Sequence, residues 1–198
     1  MIDPLQQPQV ERHPWPPFIP PGARVLMLGT FPPKPHRWSM PFYYPNKIND
    51  MWRIMGLVFH GDRDRFWLEA EQRFDREAIE RFLTERGIAL WDTAMAVRRL
   101  KDNASDKFLE IVEPIHLQEL LDAHPTIEAV VTTGEKATAV VAQLTGCPLP
   151  PTGGSNHCVL GTHRFTHHRM PSSSRAYPLP LHRKADAYRA LFTSLHLL

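Results

Sequence analysis

Four short apolar runs, each set apart from the next by a stretch of helical periodicity, limit what this chain can fold into more than any other feature of it. The runs are "ARVLMLGT" (23–30), "IALWDTA" (88–94), "IEAVVTTG" (127–134) and "CVLGTHRFTHHRMP" (158–171), the last with a short extended piece ahead of it. Their apolar residues are largely continuous, as in strands buried on both faces. Between them, 49–59 shows helical spacing with Asn49 or Asp50 as N-cap, and 65–87 reads as helix broken near Phe74-Asp75 and closed by Gly87. The stretch 108–124 reads as helix around Pro114, 135–146 as helix ended by Gly146, and 182–198 as an amphipathic closing helix. Strands alternating with helices predict an α/β fold, a three-layer α/β/α sandwich around a four-stranded, mainly parallel sheet. The 198 residues, 42% of them hydrophobic, suffice for one domain with a full core and are too few for two ordinary ones.

Residues 1–22 carry seven prolines and read as an extended arm laid on a single domain spanning 23–198, anchored by Trp15 and Phe18. No uninterrupted apolar run is long enough to span a membrane, and the first residues lack the basic and apolar regions of a secretory signal. Cys147 and Cys158 are the only cysteines, which implies reduced thiols in a cytoplasmic protein and excludes a four-thiolate iron–sulfur cluster. The late cluster His157, His163, His167 and His168 does not match a zinc-binding spacing, so no metal and no other cofactor is expected. His167 or His168 instead faces a pocket or a phosphate. There is no Gly-x-Ser-x-Gly elbow, no phosphate loop and no Gly-x-Gly-x-x-Gly, which sets aside a serine hydrolase and a nucleotide-binding domain.

The net charge is only +2, but its distribution is uneven: 18 of the 21 acidic residues fall between Asp50 and Glu135. From Arg12 to Asn49, and again from Lys136 to Ala185, there is no Asp or Glu at all. In a parallel sheet all strands present their C-terminal ends to one edge, where ligands bind. Both acid-free segments follow such ends, so they should meet on one rim and form a groove that does not repel a polyanion. Individually the residues there also have plainer readings. "MPSSSRAY" (170–177) fits a serine-rich turn, "FYY" (42–44) fits core, Asn49 fits a helix cap, and Asp92 fits a cap or an ion pair with Arg98 or Arg99.

Taken in order, "LMLGTFPP", "FYYPNKINDMW", "GIALWDTA", "VVTTGEKA" and "MPSSSRAY" resemble the uracil-DNA glycosylase superfamily, and within it most closely the hypoxanthine-DNA glycosylase branch. The likeness runs over about residues 23–190. It implies hydrolysis, without a cofactor, of the bond joining a damaged or deaminated base to deoxyribose, by a monomer that flips the base out of the duplex. It implies Asn49 as the catalytic residue that positions water or supports the cationic sugar. Gly29, Phe31, Tyr44 and Asp92 are implied as base-binding, with Tyr44 as the stacking face and Asp92 as an acceptor favouring a base edge that presents N–H. Pro171, Ser172, Ser173, Ser174, Arg175, Lys34 and Arg169 are implied as DNA-binding, and Arg175 to Leu179 as the place of the wedge. Asn46-Lys47 stand where a His-Pro usually precedes the Asn49 motif, and two further positions depart from the pattern. Phe31 stands where several branches place a water-activating Asp or Asn, and Met170 where many place a histidine. Those departures keep a second reading open, a non-catalytic DNA-binding or damage-sensing module with the same fold.

Overall fold

Burial along the strands shows why the sheet lies inside. The computed structural model describes residues 8–101 and 105–198, so the first seven residues of the expected arm fall outside it. In chain order the elements are β1 (Val10–Arg12), β2 (Val25–Gly29), α1 (Met51–His60), β3 (Trp67–Leu68), β4 (Arg73–Phe74), α2 (Arg76–Arg86), β5 (Ile88–Asp92) and β6 (Ala94–Arg99). They continue with β7 (Leu109–Pro114), α3 (Leu117–Ala123), β8 (Ala129–Thr133), α4 (Glu135–Thr145), β9 (Ser155–Leu160), β10 (His163–Met170) and α5 (Leu181–Ser194). Every residue of β2, β5 and β8 is buried, which requires cover on both faces, and the sheet is the middle layer of an α/β/α sandwich. The main sheet has the order β5-β2-β8-β10-β9, with β5, β2, β8 and β10 parallel.

The sheet has five strands rather than the four expected. "SNHCVLGTHRFTHHRM" is a hairpin, β9 running antiparallel to β10 across Gly161 and Thr162. Gly161 has φ +62°, the left-handed backbone that a two-residue hairpin loop requires at its first position. Three further expectations are corrected. Residues 109–114 are a strand and only 117–123 are helical, because Pro114 forces its predecessor to stay extended and β7 finds a partner in β6. The stretch 65–75 is not helix but a β3–β4 hairpin, and α2 begins where Asp75 Oδ1 accepts the amide of Ala78 at 3.1 Å. Finally, "IALWDTA" divides at Thr93, whose amide donates to Gly29 O at 2.9 Å, so the chain leaves β5 and enters a second, antiparallel sheet of order β1-β6-β7.

That second sheet draws in the arm. Val10–Arg12 pairs with β6, and Phe18 exchanges two backbone hydrogen bonds with Leu90 of β5, at 3.0 and 2.8 Å. Trp15 packs 4.6 Å from Trp38, and Phe18 lies edge-on to Phe42 at 5.4 Å. The arm is therefore seated on the domain by strand pairing as well as by its two expected anchors.

His167 lies wholly inside, away from any pocket or phosphate: it is 0% exposed, with Nε2 2.9 Å from Thr132 Oγ1. With Thr138 Oγ1 donating to Gly134 O at 2.6 Å, the Thr132 hydroxyl has Thr138 Oγ1 and His168 O (3.2 Å) as acceptors, and the imidazole Nε2 can donate to it. The remaining nitrogen, Nδ1, has no partner and stays a bare lone pair. Desolvation, with help from the adjacent His168, holds the His167 pKa down at about 4. An unfolded chain would protonate this ring near 6.5, so between those values the unfolded state binds more protons and stability falls as pH falls. The contribution is fully present above about 6.5 and is lost by about 4, a change of roughly 3 kcal/mol at most. Urea unfolding of His167→Gln between pH 4 and 7 should show a shallower loss of stability on acidification than the parent.

Candidate active site

The parallel register brings four strand ends to one rim. Gly29 is paired with Asp92, Leu28 with Thr132, and Met170 with Thr133. Gly29 is required here by close approach. A Cβ at this position would sit 2.6 Å from Asp92 Oδ1 and 3.5 Å from the hydroxyl of Tyr44. Tyr44 reaches this row from the loop after β2 and lies 3.1 Å from Thr133 Oγ1. Burial and the nearby carboxylate of Asp92 push its phenol well above the ordinary value, so it remains an uncharged hydroxyl.

The local sequence explains how Tyr44 gets there. Phe42 and Tyr43 are buried in the core, and Trp52 of α1 donates to Tyr43 O at 3.0 Å. Pro45 O accepts both the amide and the hydroxyl of Ser39, at 2.8 Å each. Between these fixed points Tyr44 takes φ +51°, a left-handed conformation costing a bulky residue about 1–2 kcal/mol. Strain of that kind persists only where surrounding contacts over-determine it.

Asp92 is buried, and its partner is neither Arg98 nor Arg99. Oδ2 lies 2.8 Å from His13 Nε2, while Arg99 pairs with Glu11 at 3.1 Å. A second carboxyl, Asp106, stands near the same row. It accepts the hydroxyl of Thr30 at 2.7 Å, and Lys136 at the head of α4 donates to its backbone carbonyl at 2.8 Å and to Leu109 O. Burial pushes the Asp106 pKa up, against the opposing hydrogen bond from Thr30. Phe31 turns its ring edge-on to His13 at 5.5 Å and offers the site no polar atom.

Beside this row lies the serine loop. Ser172 Oγ accepts the amide of Ser174, and Ser174 Oγ accepts the amide of Ala176, each at 3.2 Å. These local bonds use the hydroxyl oxygens as acceptors and leave the hydroxyl protons to be donated. Ser173 is buried, and its carbonyl accepts the amide of Asp50 at 2.9 Å. Asn49 forms a backbone bridge with Ser174, and its Oδ1 accepts the amide of Met51 at 2.9 Å. The two acid-free segments therefore meet, joined through Asn49, Asp50 and the serines.

Behind the loop is a buried charge cluster. Asp50 accepts from Arg175 Nε and from Lys184 Nζ, both at 3.0 Å, and Lys184 also donates to Ser174 O at 2.7 Å. Lys184 is 0% exposed, whereas the side chain of Arg175 remains 45% exposed. Pro171 is buried and its carbonyl accepts the hydroxyl of Tyr188 at 3.0 Å. Met170 is buried in the core. Arg169 is turned away, donating to Pro150 O at 3.2 Å, and Lys34 is half-buried ahead of the turn Pro35–Arg37. Sequence reasoning missed His13, Thr30, Asp106 and Thr133 along the row of strand ends and Asp50 and Lys184 behind the loop. Among the described residues no group of His, Cys, Asp and Glu is placed to hold a metal, and no helix is long and apolar enough to cross a membrane.

No protein-family profile matches the chain, and no curated protein matches it. Among solved structures it is similar to a solution NMR structure from Methanosarcina acetivorans, provisionally designated a uracil DNA glycosylase. The two superpose with a TM-score of 0.64 at 22% sequence identity, over 95% of this chain and 99% of that one. The two proteins share a fold. The likeness is not confined to the sheet.

The cluster behind the serines should be sensitive to being broken from one side. Asp50→Ala leaves the Lys184 ammonium buried without a counter-charge, a loss of about 3–5 kcal/mol. For a chain of this size that corresponds to a fall in Tm of roughly 10 °C. The double variant Asp50→Ala/Lys184→Met should recover most of the loss, which thermal unfolding of the three proteins would show.

Proposed function

We propose that the protein is a DNA glycosylase that hydrolyses the N-glycosidic bond of a flipped-out deaminated base, hypoxanthine or uracil. The observation that carries this reading is the pairing of two features on one rim. The row formed by Gly29, the Tyr44 hydroxyl and Asp92 Oδ1 stands beside a serine loop whose hydroxyl protons are left free for phosphates. The fold shared with the provisionally designated uracil DNA glycosylase supports it.

The chemistry needs three things of the protein. Phosphates must be gripped so that the base can leave the stack, at a cost of a few kcal/mol. Ser172, Ser174 and the exposed part of Arg175 supply donors for that, and such contacts position DNA without reading sequence. The base must be recognised on its edge. Asp92 accepts from an N–H, and the neutral hydroxyl of Tyr44 can donate to an adjacent carbonyl, which together suit a lactam.

Last, a water must be held against C1′. Its oxygen bonds to that carbon as the C1′–N bond breaks, the base departs with the bonding pair, and one proton of the water ends on the base by way of solvent. Asn49 is the residue we assign to the water. Its carboxamide is fixed by the bond to Met51 and keeps a further acceptor site and both N–H donors. Phe31 cannot share that work. The same phenylalanine favours a second reading, in which the fold grips damaged DNA without cleaving it.

Single-turnover assays on duplexes carrying hypoxanthine, uracil, xanthine or mismatched thymine distinguish the two. Cleavage after alkali is expected for one of the first two, falling by about 100-fold in Asn49→Ala, the size seen when one positioned polar group is removed from a reacting centre. Undiminished cleavage in Asn49→Ala would remove that residue from the mechanism. Retained duplex binding with no cleavage of any substrate would establish the binding module.

A further inference from the structure

The two oxygens of Asp92 have different surroundings. Oδ1 hangs over Gly29, where any Cβ would meet it at 2.6 Å, on the side that also holds the Tyr44 hydroxyl. Oδ2 faces the other way, into a closed compartment, and is met there by His13 at 2.8 Å. The side chain of His13 is 2% exposed and that of Asp92 9%. Four aromatic residues enclose the imidazole. Trp91 and Tyr43 stack on it with centroids 5.0 and 5.9 Å away, and Trp15 and Phe31 meet it edge-on at 5.9 and 5.5 Å.

His13 is held as firmly as it holds. Its amide donates to Met95 O at 2.8 Å, directly after the β1–β6 pairing, and Nδ1 lies 2.9 Å from Trp15 O. A carboxylate inside an aromatic compartment needs a partner, since an unpaired buried charge is costly. It also has a free χ2 rotation unless one oxygen is tied. One hydrogen bond with His13 Nε2 answers both requirements: it satisfies Oδ2 and holds Oδ1 over Gly29, beside the Tyr44 hydroxyl.

We propose that His13, carried by the Pro-rich arm, is the positioning residue that fixes Asp92 as a one-oxygen acceptor and so sets the requirement for an N–H on the bound base. The arm is thus part of the site. This rests on the reading that the Gly29–Tyr44–Asp92 row takes a flipped-out base, but not on the base being cleaved. Phe31 acquires a role as well, as one wall of the compartment that keeps water from Oδ2.

The test compares bases that differ only at that N–H. Duplexes carrying a non-hydrolysable 2′-fluoro nucleotide of hypoxanthine or 1-methylhypoxanthine, and of uracil or 3-methyluracil, are titrated against the intact protein, His13→Asn and His13→Gln. The Asn side chain can keep the bond to Trp15 but cannot reach Asp92, whereas Gln can reach Asp92. The parent should prefer the N–H base of one pair over its methylated partner by about tenfold or more, the discrimination a site built to hydrogen-bond a polar group achieves. His13→Asn should lose that preference while binding undamaged duplex as the parent does, and His13→Gln should retain most of it.

A full preference in His13→Asn overturns the proposal. So does an equal loss for all duplexes, undamaged DNA included, in both variants, because that is the signature of a structural role. A parent with no preference in either pair overturns it too. Cleavage of the ordinary nucleotides is scored separately: intact discrimination without cleavage would sink the glycosylase reading and leave the role of His13 standing.

Discussion

The carboxylate of Asp50 is the joint on which the rest of the site depends. It lies at the head of α1, accepts from a lysine on the last helix, and accepts from the arginine that follows the serines. A fully buried ammonium can be accommodated only where a counter-charge and further acceptors meet it, and here Asp50 and Ser174 O do so. The start of α1, the serine loop and α5 are therefore locked into one arrangement. Asn49 is carried with them, because its backbone bridges to Ser174 and the amide of Asp50, next in the chain, donates to Ser173 O. The polyanion-tolerant rim is assembled by an acid, the first one after the long acid-free segment.

Much of the row of strand ends is held in costly conformations. Tyr44 is left-handed, Asp92 is buried against His13, and Asp106 is buried enough for its carboxyl to be pushed toward the neutral form. Each is offset by contacts behind that row: the paired bonds at Pro45, the imidazole of His13, and the hydroxyl and ammonium of Thr30 and Lys136. Preorganisation of this kind trades stability for geometry, since the polar groups are already aimed before a ligand arrives.

The continuous apolar runs made the parallel strands legible, and with them the rim, because strand direction alone decides which ends come together. Gly29, Tyr44, Asp92 and the serines could be read as neighbours on that basis. Other parts could not. "LEIVEP" has apolar residues at a spacing that suits either a helix or a strand, and only its pairing with β6 decides for the strand. β9 is an edge whose exposure largely alternates, so its pattern is weak beside that of its neighbours. His13 sits in a stretch with no periodicity at all. The one signal was the short "VER" ahead of it, and what made it a site residue was a partner 79 positions away. Asp50 was visible as a helix cap, but its carboxylate went instead to charges 125 and 134 residues further on.

The contact between Phe18 and Leu90 has a consequence for the molecule as a whole. β5 is the outermost strand of the main sheet, and an uncovered outer strand invites pairing with another chain. The arm takes up both backbone groups of Leu90, at the middle of that strand, and so guards it from within. The segment that guards the edge is continuous with the one that delivers His13. Prying the arm from β5 would therefore expose a sticky margin and withdraw His13 from Asp92 in a single event, so association through that margin and loss of that contact are coupled by the covalent chain.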